Sequence, residues 1–517
     1  MTKPSTASYF TALLLIFALA FAAFAQDISG GSGVLVANAD VEAKLGKGIF
    51  TPAQNRPHVN KAPEKKPVRR SVASAHTRTT NAGGNRPTNS GNSGNNSGNT
   101  SGNNNTGGTR PAMDAEAYNK RGDDYFDAGK YDQAADAYQQ AIKLRADYAE
   151  AYLNLGETYF NLGRYDEATT ADTKATSLNS NSADAYRALG LAQLHKNNLA
   201  EAITALKRAH ELNSGDAETK NALSLAYFDQ GVAAYNANNY TDAVARYQDA
   251  IKIKSDYADA YNNLGDTYRQ SNKAPEAIDA YKHAIAIKAD LLEAHSNLSV
   301  MYDELGRYSE AVESYKQVIR LKPDDAEANN NMGYALGKSK HWPEAVVAFM
   351  RAIQLKPDYA EAYSNLGWAY NNMGNFQAAL QPLKKAIELK PPLPEGHFNI
   401  GITYSRLSQN PATPEYKQQA LAEFQQTIQL KPDWPAAQNN LGFAYGNLGK
   451  WKEAIAAHNE AIRLKPDYAG AYYNLGVDYL MSGNKKKAAE QYEKLKPLNQ
   501  NNANLLYQQI YKKAPPK

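Results

Sequence analysis

The 517-residue sequence contains no cysteine. That excludes disulfides, thiol catalysis, zinc held by thiolates and lipidation at a lipobox cysteine. Histidine is scarce: of nine in the chain, His195, His283, His295, His341, His397 and His458 fall in separate stretches, with no pair at i, i+4 spacing. A His-Glu-x-x-His motif is absent, as is a glycine-rich phosphate loop after a strand. The expectation is therefore a non-enzymatic chain without cofactor or metal. Net charge is nearly absent too, at +4, but it is unevenly spread. Residues 26–113 hold eleven Lys/Arg against four Asp/Glu, while the remainder of the chain beyond them is acidic by about four charges. A mildly basic segment thus precedes a mildly acidic one.

A long hydrophobic run is also lacking. Ala12–Ala25 comprises fourteen apolar residues, short of the roughly 20 that cross a membrane. With Lys3 before it and Ala23-Phe24-Ala25 at its end, it reads as a signal peptide over residues 1–25, cleaved after Ala25, with an uncleaved anchor as the alternative. Either reading exports the rest, in a bacterial style, to the periplasm or beyond. Residues 26–113 show no sustained periodicity: Lys61–Arg70 is basic and proline-rich, and Asn81–Thr109 is almost wholly Asn, Gly, Ser and Thr. Such a segment buries too little apolar area to offset its ordering entropy, so a disordered linker is expected. Its basic part, residues 61–86, is either a solvated spacer or a weak attachment to anionic wall polymer or membrane.

Repetition is what the sequence has in abundance. From Asp358 to Pro391, Tyr363, Leu366, Gly367 and Tyr370 recur at helical spacing, a break falls near Gly374, and Ala379, Leu383 and Ala386 mark a second helix. Displacing the chain by 34 residues carries Pro323 to Pro357, and Gly333 to Gly367 to Gly401. Eleven such units start at 115, 149, 183, 217, 258, 292, 326, 360, 394, 435 and 469, giving an array over 114–502 and a capping helix and tail over 503–517. Units at 217 and 394 are seven residues longer. Seven residues are nearly two turns, about 10.5 Å, which keeps an apolar face in phase, so a lengthened first helix is expected in the former. In the latter, Pro411 and Pro414 predict an extended turn at 408–414. Asp147-x-x-Glu150, Asp324-x-x-Glu327 and Asp358-x-x-Glu361 predict capping boxes.

A 34-residue helix–turn–helix period resembles the tetratricopeptide repeat (TPR) family over about three quarters of the chain. The resemblance implies an all-α fold, a right-handed superhelical α-solenoid of about eleven repeats. Glycines at 156, 265, 333, 367, 401, 442 and 476, with alanines such as Ala168, Ala277 and Ala379, allow close helix approach, and the 35 tyrosines are packing residues rather than a platform for nucleic acid. It also implies a concave wall formed by the first helix of each repeat, mainly at its second, fifth, sixth, ninth, twelfth and thirteenth positions. The sixth reads Asn154, Asn263, Asn297, Asn331, Asn365, Asn399, Asn440 and Asn474. This row looks like the asparagine ladder of the O-linked N-acetylglucosamine transferase superhelix, whose catalytic domain has no counterpart in this sequence. An Asn offers a donor and an acceptor, so such a row can hold the backbone of an extended peptide, or else tie helices together.

At the ninth position Asp123, Glu157 and Asp266 give way to Val300, Tyr334, Trp368, Ile402, Phe443 and Val477, joined by Phe398 and Tyr473 at the fifth. These read as an apolar strip for a partner, or as packing on the neighbouring first helix. The Lys/Arg/Asn clamp of chaperone-binding repeats is replaced by Asn119, Asp123, Asn154 and Asp184. The expected function is an exported scaffold that holds a protein or extended peptide over the repeats from 292 onward. Asn297, Asn331, Asn365, Asn399, Asn440 and Asn474 would bond the partner backbone, with Tyr334, Trp368, Phe398 and Phe443 as anchors. The alternatives are an adaptor tethered by its basic segment and a noncatalytic subunit of an envelope enzyme.

Overall fold

The computed structural model describes residues 113–409 and 413–511. The expected signal peptide, the linker up to residue 112 and the tail from Lys512 lie outside the described residues. Among those described, 23 helices occur and no strand. Described residues up to Ser339 form one compact unit and those from Lys340 another.

In the first unit the helices pair as α1 (Ala115–Asp127) with α2 (Tyr131–Leu144), α3 (Ala149–Asn161) with α4 (Tyr165–Leu178), and α5 (Ala183–His195) with α6 (Leu199–Leu212). Next come α7 (Ala217–Asn236) with α8 (Tyr240–Ile253), α9 (Ala258–Gln270) with α10 (Ala274–Ile287), and α11 (Leu292–Glu304) with α12 (Tyr308–Leu321). Helix α13 (Ala326–Lys338) follows. The second unit holds α14 (Trp342–Leu355), α15 (Ala360–Asn372), α16 (Phe376–Leu389), α17 (Pro394–Leu407) and α18 (Glu415–Leu430). It continues through α19 (Pro435–Asn447), α20 (Trp451–Leu464), α21 (Ala469–Met481), α22 (Lys485–Leu495) and α23 (Gln500–Tyr511). Odd-numbered helices up to α21 are the first helices of eleven repeats, and α7 is a single 20-residue helix.

Small residues set how closely each pair packs. A Cβ on Gly265 would lie 2.6 Å from the Tyr281 ring, and one on Gly401 would lie 2.7 Å from that of Phe424. Ala168, Ala277, Ala311, Ala379, Ala454 and Ala488 are fully buried. Larger side chains complete separate cores along each stack: Tyr138 with Tyr159, Leu223 with Phe228 and Tyr247, Tyr281 with Tyr315, and Leu383 with Phe398 and Phe424. In α23, Leu506 and Ile510 close the last core against Tyr473 and Leu495.

Turns within pairs use the left-handed region: Gly129, Gly163, Gly306, Gly374, Gly449 and Gly483 have φ of 70–84°, and Asn197, Asn238 and Asn272 have φ of 56–63°. Lys340, at φ 64°, is the sole described residue there that is neither Gly nor Asn. Pro323, Pro357, Pro432 and Pro466 each follow the C-cap lysine of a second helix.

Capping differs from expectation. The N-caps of α3 and α15 are Tyr148 and Tyr359, with no side-chain cap, and Asp325 rather than Asp324 caps α13, accepting from Ala328 N at 2.9 Å. Each helix starts one residue later than a capping box requires. In the Arg-Ala-Asp-Tyr and Lys-Pro-Asp-Tyr turns the Ala149 and Ala360 amides donate to the backbone oxygens of Asp147 and Asp358, at 3.0 and 3.1 Å. Asp114, Ser182 and Asp216 do cap their helices.

Beneath α9 the interior is unusually polar. Asp266 accepts from the Tyr281 hydroxyl at 2.7 Å, yet its Oδ2, both side-chain polar atoms of Asn263, Asn262 Nδ2 and the Tyr247 hydroxyl are buried without a hydrogen-bond partner. Burial pushes Asp266 up to about 7, against the opposing pull of the Tyr281 hydrogen bond and Arg269. Asp303, buried and bonded by Tyr315, likewise rises to about 7.

Two outcomes follow from these features. Lys340→Gly relieves a left-handed lysine and should raise stability by about 0.5–1 kcal/mol, whereas Gly265→Ala should lower it by about 1–3 kcal/mol, both read by urea unfolding. Between about pH 4 and 7 the folded chain holds a proton on Asp266 that the unfolded chain has released. Stability should thus be fullest at the acid end and decline as pH rises through 7. Thermal melts at pH 5 and pH 8 should show the drop, and Asp266→Asn should shrink it.

Candidate functional site

Within each unit the first helices lie side by side, α3 against α5 and α9 against α11 in one, α17 against α19 and α19 against α21 in the other. That adjacency decides what the sixth position can do. Asn154 Nδ2 donates to Asn119 Oδ1 at 3.2 Å and to Asp123 Oδ1 at 3.2 Å. Asn297 donates to Asn262 Oδ1 and Asn474 to Asn439 Oδ1, each at 3.1 Å. In all three the acceptor includes the fifth residue of the preceding first helix. Asn331 accepts from Asn330 at 3.2 Å, and Asn440 donates to the Ala436 carbonyl at 2.8 Å. Asn297, Asn331, Asn365 and Asn399 are buried, whereas Asn440 and Asn474 are half-buried. The row therefore ties neighbouring repeats at several steps and is open at its C-terminal end.

The apolar row divides in the same way. Trp368 is buried, edge-on to Trp342 with centroids 5.0 Å apart, and Phe398 packs on Trp434 at 4.4 Å and on Phe424 at 5.9 Å. Tyr334 is buried as well. Ile402, Phe443 and Val477, on α17, α19 and α21, are half-buried and keep a partly open apolar edge beside Asn440 and Asn474. Asp266 and Glu157, expected on an open wall, are buried instead. At the ninth position the side chains of Val300, Tyr334 and Trp368 are buried, whereas Asp123, Leu191 and Leu225 of the early repeats are half-buried like those of the last three.

A recess lies in the first unit, between α11 and α13. This cavity of about 300 Å³ is lined by Leu292, Glu293, Ser296, Asn297, Ser299 and Val300 of α11, and by Glu327, Ala328 and Asn331 of α13. Tyr315 and Val318 of α12 close it, and Lys322 and Asp325 stand at its edge. It unites Asn297, Asn331 and Val300, singled out in the sequence, with others that were not, among them Glu293, Ser296, Tyr315, Val318 and Lys322. A signal for it did exist. Ser299 stands where every other repeat of ordinary length carries glycine, as Gly265 and Gly367 do.

Histidines are structural or isolated. His458 is fully buried opposite Gly442, with Nδ1 3.1 Å from Asn439 Oδ1 and Nε2 3.3 Å from Asp478. His397 Nδ1 lies 2.7 Å from Glu423. Among the described residues no three His, Asp or Glu side chains are grouped as metal ligands, and no helix is long and apolar enough to cross a membrane.

Comparison with known proteins agrees with this architecture. Tetratricopeptide-repeat models match residues 149–182, 171–217, 228–291 and 360–392, and a TPR-repeat model matches 122–163, 301–340, 338–374 and 447–483. Together these cover more than half of the chain, which belongs to the tetratricopeptide repeat family. No curated protein matches. The chain is similar to the solved APC/C hetero-tetramer Cut9-Hcn1, at 15% identity and TM-score 0.41, covering 77% of this chain and 96% of that one. Yeast Tom70 is similar at 16% identity and TM-score 0.35, covering 77% and 94%. YrrB, a TPR protein with an unusual peptide-binding site, is similar at 22% identity and TM-score 0.32, covering 37% and 95%. At such identities and scores nothing about function passes from them to this chain.

The burial of Trp368 separates packing from binding. Trp368→Ala should cost about 3–5 kcal/mol in urea unfolding, as expected for truncation of a core aromatic rather than of a surface anchor.

Proposed function

We propose that the chain is a non-enzymatic scaffold that holds an extended segment of a partner protein against its first helices. The observation that carries this reading is the α11–α13 cavity, where Asn297 and Asn331 meet Ser296 and the half-exposed flank of α11. A recess of about 300 Å³ lies at the small end of the range for ligand pockets, large enough for one side chain and its flanking backbone. Buried apolar walls at Val300 and Val318 supply contact area, and polar groups around them fix orientation. In the second unit, Asn440, Asn474, Ile402, Phe443 and Val477 make a second, shallower surface suited to the same kind of partner.

We further propose that this takes place outside the cytoplasm. Lys3, the apolar run Ala12–Ala25 and the small residues at its end motivate that step. Fusion of residues 1–40 to a reporter active only after export tests it, with loss of signal on replacing Leu13–Ile16 by charged residues as the expected result.

The binding reading is tested by selecting displayed random peptides on the full chain. Ser296→Trp, which fills the cavity from a half-exposed position, should abolish enrichment of at least one peptide class while leaving the helical signal unchanged. A Phe443→Ala variant should weaken any class that docks in the second unit by about 1–2 kcal/mol. Identical selection on parent and Ser296→Trp chains would sink the α11–α13 assignment.

A further inference from the structure

The charges around the α11–α13 cavity say what kind of side chain it takes. An acidic residue recurs at the second position of the first helices: Glu116, Glu150, Asp184, Glu218, Asp259, Glu293, Glu327, Glu361 and Glu395. A carboxylate in the first turn complements the helix dipole, and in three repeats a cation that ends the second helix closes on it. Glu361 pairs with Lys390 at 2.8 Å, Glu116 with Arg145, and Glu395 with Lys431 at 3.5 Å.

In the repeat that begins at Leu292 this pair is not made, and Glu293 has no substitute of the kind that Arg187 gives Glu218. The corresponding cation is Lys322, 29 residues after Glu293 as Lys390 is after Glu361. Its Nζ turns instead to Asp325, at 3.1 Å, which also caps α13. Lys322 is thereby neutralised, and Glu293 has no ion-pair partner among the described residues. This same repeat carries Ser299 at the glycine position, and the cavity opens beside it. A carboxylate released from its usual partner thus stands on the wall of an open recess, with Glu327 on the facing helix. Lys322, Asp325, Glu293 and Glu327 are the charged groups lining it, and with Lys322 bound to Asp325 the Glu293 carboxylate is left on the wall without an ion-pair partner among the described residues.

We propose that this cavity seats a lysine or arginine side chain of the partner segment. The alkyl stem lies along Leu292, Val300 and Val318, and the cationic head is held by Glu293. Long cationic side chains bury their stems on apolar surface while keeping the head at polar groups, which is the arrangement these walls offer. The inference rests on the groove reading above and adds the chemistry of its occupant.

The test uses the full chain and two small probes, N-acetyl-lysine-methylamide and its uncharged analogue N-acetyl-norleucine-methylamide, with binding followed by ligand-observed NMR. The lysine probe should bind at least about tenfold more tightly than the norleucine one, and Glu293→Gln should remove most of that difference. Since Glu293 makes no ion pair, Glu293→Gln leaves folding intact, which an unchanged melting curve verifies. Equal binding of the two probes, no binding of the lysine probe, or lysine binding unaffected by Glu293→Gln would each overturn the proposal. Displayed peptides keep the two readings apart. Selected peptides that lack a basic residue, and are lost on Ser296→Trp but not on Glu293→Gln, defeat the cationic occupant alone. Selection of the same peptide classes by the parent and Ser296→Trp chains defeats the groove itself.

Discussion

Close approach of the two helices within a repeat is the constraint on which the remaining features depend. Gly122, Gly190, Gly231, Gly265 and Gly367 each face a large side chain sixteen residues later, respectively Tyr138, Leu206, Tyr247, Tyr281 and Leu383. The glycine gives up its own side chain so that the second helix can bury one. Such a contact satisfies one repeat only, and the outer face of each pair is covered by the next. Stability in an array of this kind is a sum of local terms and nearest-neighbour interfaces. A 34-residue period is what this local geometry requires, and the sequence displays it because no long-range contact competes with it.

That locality explains how much was legible beforehand. Helix starts at Ala115, Ala149 or Ala360, the lengthened α7 and the final α23 follow from periodicity, small residues and proline positions, all of which act over a few turns. Function at the wall was less legible. Period and position identify Asn365, Trp368 and Phe398 as residues of one helix face, but not whether the adjacent first helix covers that face. Trp368 is taken up by Trp342 and Phe398 by Trp434, neither of which belongs to the face itself. Capping failed for a finer reason. A tyrosine at the N-cap, as at Tyr148 and Tyr359, offers the first turn no side-chain cap, and the helix starts one residue beyond the aspartate.

Departures from the repeat pattern are where the chain acquires individuality. His458 occupies the large-residue position opposite Gly442, and Asp172 that opposite Gly156, so a hydrophobic contact becomes a polar one without loss of the helical pair. Ser299 and the turned-away Lys322 are departures of the same kind, and both line the α11–α13 recess.

Helix α7 has an effect on stride. Its start at Ala217 keeps the spacing of the preceding repeats, whereas Gly231 keeps the spacing of α8, and the seven residues between the two frames advance the axis by about 10.5 Å. Seven residues fall short of two full turns by about 20°, so α7 also carries a small rotation between the faces it presents to its two neighbours. An extended chain advances about 3.3 Å per residue, so a partner lying along this helix would need about three extra residues to stay in step. A ligand with uniform spacing of its side chains would match the repeats on one side of α7 and slip on the other.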